Sequence, residues 1–119
     1  MALSEQTKPL DVRDGDLRIA VSHTGTTATI GLAGEWDVAK QLATRQAIGR
    51  ALAGRPECLV LDLSRLGFID SSGVHAVIAL ARRTERLGVR LLIVPGPKAM
   101  QRIFEVCHLT DRLPFTEPA

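Results

Sequence analysis

Cys58-Leu59-Val60-Leu61-Asp62-Leu63 is a near-continuous apolar run, and past Phe68-Ile69-Asp70-Ser71-Ser72-Gly73 the chain changes rhythm. There Val74, Val77, Ile78 and Ala81 recur at i, i+3, i+4 and i+7, the spacing of one helix face. The apolar run reads as a strand covered on both faces. Asp70, Ser71 and Ser72 are residue types that accept hydrogen bonds from the first free N–H groups of a helix, so the helix is predicted to open among them. Those unpaired N–H groups and the positive end of the helix dipole accommodate an anion. A serine placed there is a cap, a phosphate contact or a phosphate acceptor, and spacing alone leaves the three open.

Downstream, the helix is predicted to run to about Leu87 and to close at Gly88. Val89 to Val94 follows as another apolar strand, broken by Pro95-Gly96-Pro97. Pro97 suits the first position of a third helix, whose apolar face is Met100, Ile103, Phe104 and Cys107. Leu113-Pro114-Phe115 reads as a last edge strand.

Upstream, Leu17, Ile19 and Val21 alternate with Arg18, Ala20 and Ser22, and Ala28, Ile30 and Leu32 alternate again beyond a Thr24-Gly25 turn. This pattern is a β-hairpin. Gly34-Glu35-Trp36-Asp37 ends its second strand, and Asp37 is placed to cap a helix running to about Leu52. Val38, Leu42, Ile48 and Leu52 form the apolar stripe of that helix, interrupted by Arg45 and Gly49. Residues 1–15, polar and rich in aspartate at their end, read as a flexible lead-in to a domain over 16–116. The order is β-β-α-β-α-β-α-(β). It implies an α/β fold with a mixed four- to five-stranded sheet, a parallel core with right-handed crossovers and an antiparallel N-terminal edge.

A chain of 119 residues buries a conventional core as one domain. One Trp, three Phe and no Tyr argue against stacking on single-stranded nucleic acid. A net charge of +2, with both signs interspersed, gives no basic stripe for duplex binding. Cys58 and Cys107 fall on predicted apolar faces and read as reduced core thiols. No apolar run approaches the length of a membrane span, so the expectation is a soluble, cytoplasmic protein without nucleic-acid or membrane partners.

In a parallel sheet the loops leaving the C-terminal strand ends gather at one edge. Glu35, Asp37 and Asp70 are therefore expected to ring Ser71 and Ser72. Such a ring repels a free phosphate ligand. The stretch also lacks a phosphate-binding lysine loop, a GxGxxG pattern, and a His or Lys placed as base for the serine. It is a poor active site but a suitable acceptor for a phosphate delivered by another protein. His75 has no sequence partner and reads as a surface histidine near an interface. No metal or cofactor is implied. A receiver domain phosphorylated on aspartate shares the outline but needs an acidic pair and a late lysine that are absent at the expected loops.

Leu59-Val60-Leu61-Asp62-Leu63-Ser64-Arg65-Leu66-Gly67-Phe68-Ile69-Asp70-Ser71-Ser72-Gly73 resembles the signature of STAS domains of the bacterial anti-sigma factor antagonist type. Gly34-Glu35-Trp36-Asp37 resembles that family's Gly-Glu-Leu-Asp segment, and Arg102 to Val106 with Leu113-Pro114-Phe115 resembles its closing helix and tail. The resemblance implies a regulator without enzyme activity. Its unphosphorylated form binds an anti-sigma factor that is also a GHKL-type serine kinase, and so frees the sigma factor. Phosphorylation of Ser71 blocks binding, and a PP2C-type phosphatase reverses it. Asp37, Asp70, Glu35, Ser72, Gly73 and His75 then form the switch surface. A STAS scaffold module in a larger stress-signalling assembly is the alternative. Two positions depart from the family pattern: His75 and His108 stand where relatives commonly carry glycine, the latter in the left-handed region that ends the closing helix.

Overall fold

The computed structural model describes residues 9–116. Five strands form one sheet in the order β1-β2-β3-β4-β5: β1 (Leu10–Asp14), β2 (Leu17–Thr24), β3 (Thr27–Trp36), β4 (Cys58–Ile69) and β5 (Arg90–Val94). A short 3₁₀ turn (Val38–Lys40) leads into α1 (Gln41–Ala53). α2 (Ser71–Leu87) joins β4 to β5, and α3 (Lys98–Val106) follows β5. β1, β2 and β3 pair antiparallel, whereas β3–β4 and β4–β5 pair parallel. The mixed sheet with an antiparallel edge and a parallel core is the architecture the sequence implies.

The alternating residues of the hairpin, Leu17, Ile19, Val21, Ala28, Ile30 and Leu32, are buried in a single core. Leu59, Leu61, Leu63, Leu91 and Ile93 continue that core across the parallel half, and Phe104 and Met100 of α3 close it. Phe104 meets Phe115 edge-on, with ring centroids 5.1 Å apart, a favoured aromatic geometry. Gly88 ends α2 at φ 72°, the left-handed cap that glycine adopts without a Cβ penalty. Gly34 sits at φ 107° with a backbone carbonyl of Asp16 filling the space a Cβ would need, so the β2 entrance and the end of β3 pack backbone to backbone.

Several expectations are corrected. Residues 10–14 are not lead-in but the edge strand β1, whose outward Asp11 pairs with Arg18 at 2.8 Å; charged edge strands resist further pairing and carry little apolar signal. Residues 1–8 lie outside the described residues. β4 is covered fully on one face only, because Val60 and Asp62 are half-buried. It also continues through Gly67 to Ile69, well past the apolar run that ends at Leu63. Its burial changes from every second to every third residue after Leu63, and its pairing with β3 shifts register at Gly31/Ala33 and Gly34/Glu35, as bulged strands do.

In α1 the core face is Thr44, Ala47, Ala51 and Leu52. Val38 and Leu42, assigned to the stripe, are 67% and 68% exposed, because the 3₁₀ turn rotates the phase of the helix that follows. Pro97 is the cap of α3 rather than its first residue. Leu113 to Phe115 contributes a single bridge from Phe115 to Ile93 rather than a strand. Both cysteines are free thiols, but Cys107 is exposed and Cys58 half-buried, so neither is a core thiol.

Candidate functional site

The site is the junction of β4 and α2, one residue long. Asp70 holds an extended backbone (φ −98°, ψ −177°) and caps α2 by accepting from Gly73 N at 3.1 Å. Its backbone N–H donates to the Trp36 carbonyl at 3.1 Å, which pins the turn to the end of β3. Its second carboxylate oxygen accepts from Val38 N at 3.1 Å, joining the α1 approach to the start of α2. Ser72 Oγ donates to Asp70 Oδ1. That hydroxyl bond, then the N–H groups of Gly73 and Val38, hold the Asp70 carboxyl below its ordinary range.

Gly73 is buried under this cap. A Cβ there would stand 2.5 Å from Ile69 Cγ1 and 3.3 Å from Trp36 Cδ2, so glycine lets the first turn of α2 settle on the two side chains. Trp36 itself is 1% exposed. It forms the floor of the junction, a role that the sequence does not announce, because Trp36 reads there only as part of the segment that ends the second strand.

The two serines are chemically distinct. Ser72 is half-buried and its hydroxyl is committed to Asp70. Ser71, the first residue of α2, is exposed, and no side-chain bond engages its hydroxyl among the described residues.

The expected ring of carboxylates around the serines is only partly formed. Asp70 is in place. Asp37 caps the 3₁₀ turn through Ala39 N at 3.0 Å and turns its other oxygen to Lys40 Nζ, also at 3.0 Å. Lys40 is buried and makes a second ion pair with Asp16 at 2.6 Å; these two hydrogen bonds, Asp16 first, push its ammonium above its ordinary range. Glu35 belongs with Asp16 rather than with the serines, and the Asp16 carboxylate pushes its carboxyl up. Asp16 is held down, first by its Lys40 bond. A lysine does stand in the loop cluster, but it is paired with two carboxylates and not with either serine. Its position three residues after Asp37 is the sequence signal that would have found it. His75 is exposed on α2 and faces the same groove as Ser72. Among the described residues no cluster of His, Cys, Asp or Glu is arranged to hold a metal ion, and no helix is long and apolar enough to cross a membrane.

A hydrogen-bonded aspartate, an exposed serine and a buried glycine at a strand–helix junction of this sheet define a class. The chain belongs to the STAS domain family: the family described as "Mlab, STAS domain" matches residues 19–115. It is similar to the anti-sigma-F factor antagonist RsfA of Mycobacterium tuberculosis, 30% identical over 100 residues that cover 82% of this chain and 78% of the relative. RsfB of the same organism, also named an anti-sigma-F factor antagonist, is 32% identical over 72 residues, 60% of this chain and 57% of the relative. The crystal structure of an anti-sigma factor antagonist from Mycobacterium paratuberculosis superposes with a TM-score of 0.75 at 26% identity, covering 90% of this chain and 92% of that one. The anti-sigma factor antagonist SpoIIAA in its unphosphorylated form shares the fold, with a TM-score of 0.68 at 22% identity over 83% and 88% of the two chains.

Proposed function

We propose that this chain is an anti-sigma factor antagonist switched by phosphorylation of Ser71. The observation that carries the reading is the division of labour between the serines: Ser72 completes the cap, while Ser71 presents a free hydroxyl beside it. Unphosphorylated, the surface around Ser71 docks on an anti-sigma factor that is a GHKL-type serine kinase, and docking releases the sigma factor. The kinase transfers phosphate to Ser71, docking is lost, and a PP2C-type phosphatase restores it. The chain performs no chemistry of its own. The names of the relatives, each an anti-sigma factor antagonist, support this reading.

The charge change is the mechanism. A phosphate adds about −1.5 to −2 units at Ser71, one residue from the Asp70 carboxylate. The dipole of α2 absorbs part of that charge, and the remainder lies where a partner must exclude water. A penalty of ~2.7 kcal/mol already weakens binding about 100-fold. Asp37 contributes less than its position in sequence suggests, because Lys40 neutralises it.

The test is a binding and phosphorylation experiment with the purified anti-sigma factor. Ser71→Ala is expected to bind it, to release the sigma factor and to take up no phosphate, and Ser71→Asp to bind poorly. Phosphate incorporation into Ser71→Ala at the wild-type level, or full binding by Ser71→Asp, refutes the assignment.

A further inference from the structure

Arg45 and Gly49 lie off the core face of α1, which is Thr44, Ala47, Ala51 and Leu52. Both line a groove between α1 and α2. It begins beside Ser72 and His75, passes Arg83, and ends at Leu87 and Arg55, in two lobes of about 480 and 530 Å³ that share Arg83. From Ser72 to Leu87 the groove is roughly 22 Å long at the rise of a helix. Ile48, Leu80 and Leu52 give it an apolar floor. Its charged lining residues are Arg45, Arg55 and Arg83, without one carboxylate, in a chain that carries 13 acidic residues. Glu85, on α2, is exposed but is not among the residues that line the groove.

Gly49 supplies an independent sign. A Cβ built there meets nothing within 4 Å, so no contact inside the chain requires glycine. Mid-helix glycine lowers helix stability relative to alanine, and what it leaves here is open room in the lobe lined by Arg55 and Leu87. We infer that this groove receives an acidic, amphipathic segment of the partner, whose apolar side meets Ile48, Leu80 and Leu52 and whose carboxylates meet Arg45, Arg83 and Arg55. The inference deepens the proposed function and rests on it. The groove opens beside the Ser71 turn, so an acidic segment lying in it is repelled by a phosphate on Ser71. The chemistry of the occupant thereby sets the direction of the switch.

The experiment uses the full chain and the anti-sigma factor that unmodified protein retains from host extract, then purified. Arg45→Glu and Arg83→Glu are expected to weaken binding about tenfold to hundredfold, and the wild-type affinity to fall with added salt. Gly49→Gln is expected to melt about 3–4 °C higher, because it adds a better helix former, yet to bind more weakly because it fills the groove. A photo-crosslinker placed by Ala79→p-benzoylphenylalanine is expected to attach to an acidic amphipathic stretch of the anti-sigma factor.

Wild-type affinity in all three charge and size variants, with Ser71→Asp still impaired, overturns the groove and leaves the switch standing. A crosslink to a basic or uncharged stretch also overturns it. So does sedimentation of wild type, but not of the arginine variants, with phosphatidylglycerol vesicles, which makes the groove a lipid surface. A dimer of wild type that the same variants dissolve overturns it in favour of a second copy. If wild type retains no anti-sigma factor, the parent reading and this one fall together.

Discussion

Replacing Asp70 by alanine removes three hydrogen bonds at one stroke: those from Gly73 N, Val38 N and Ser72 Oγ. Loss of the helix cap costs about 1 kcal/mol. The Val38 N–H lies on an exposed segment, so water replaces much of what it loses, and that bond adds about 0.5–1 kcal/mol. The Ser72 hydroxyl is half-buried and contributes a similar amount. The sum is about 2–3 kcal/mol, or roughly 1–2 M in urea midpoint for a chain of this size. Trp36, the single tryptophan, lies under the cap and reports the transition by its fluorescence. Asp70→Asn keeps an acceptor and is expected to cost less than half as much at neutral pH.

The sign of the pH dependence follows from the direction of the shift. The folded carboxyl is held below its ordinary value of 3.8, so its stabilisation is fully present above about pH 4 and fades as the pH falls through the lowered folded value. The difference between wild type and Asp70→Asn should therefore be constant from neutrality to about pH 4 and shrink below it. An alanine variant within ~0.5 kcal/mol of wild type, or an asparagine gap that persists undiminished in acid, refutes the account of the junction.

Glu35→Gln should stabilise the protein at pH 7, because the Asp16 carboxylate raises the folded Glu35 carboxyl above its ordinary value, and the gain should vanish below that ordinary value of 4.5; thermal melts across pH measure it, and a loss of stability at pH 7 contradicts the reading. Gly73→Ala should cost about 1–3 kcal/mol by overpacking against Ile69 and Trp36, with a change in Trp36 emission in the folded state; a neutral result would mean that the first turn of α2 is not seated on these side chains. His108 has φ 57°, so His108→Gly should raise stability by about 1 kcal/mol, measured by urea unfolding, and a destabilised variant would show that the imidazole makes a compensating contact.

Where one rule governed a stretch, the sequence was readable. Period-two alternation located β2 and β3, the i, i+3, i+4, i+7 pattern with Asp70 and Gly88 located α2, and the positive φ at His108 stands where the family resemblance places a left-handed residue. Where two rules competed, it was not. β1 hides because an edge strand exposes most of its residues, and β4 outruns its apolar run because a bulge replaces the alternation that signals a strand. The start of α1 was misphased because a 3₁₀ turn precedes it. Within the site, Asp70, Ser71, Ser72 and Gly73 are contiguous and legible together. Glu35 and Asp37 were drawn to the serines by proximity in the topology, but Lys40 and Asp16, whose pairing depends on the β1–β2 turn meeting the end of β3, draw them away.

That redistribution of charge bears on the proposed phosphorylation of Ser71. Were Asp37 and Glu35 bare beside Ser71, a phosphate would face three carboxylates inside the protein itself, and modification would strain the fold as well as the interface. Lys40 instead pairs with Asp37 and Asp16, and Glu35 interacts with Asp16, so the new charge meets chiefly Asp70 and the positive end of α2. The backbone around it is held by the Trp36 carbonyl, the Val38 N–H and the contact of Gly73 with Ile69 and Trp36, none of which involves the Ser71 hydroxyl. A charge added at Ser71 therefore acts outward, on whatever docks there, rather than inward on the fold.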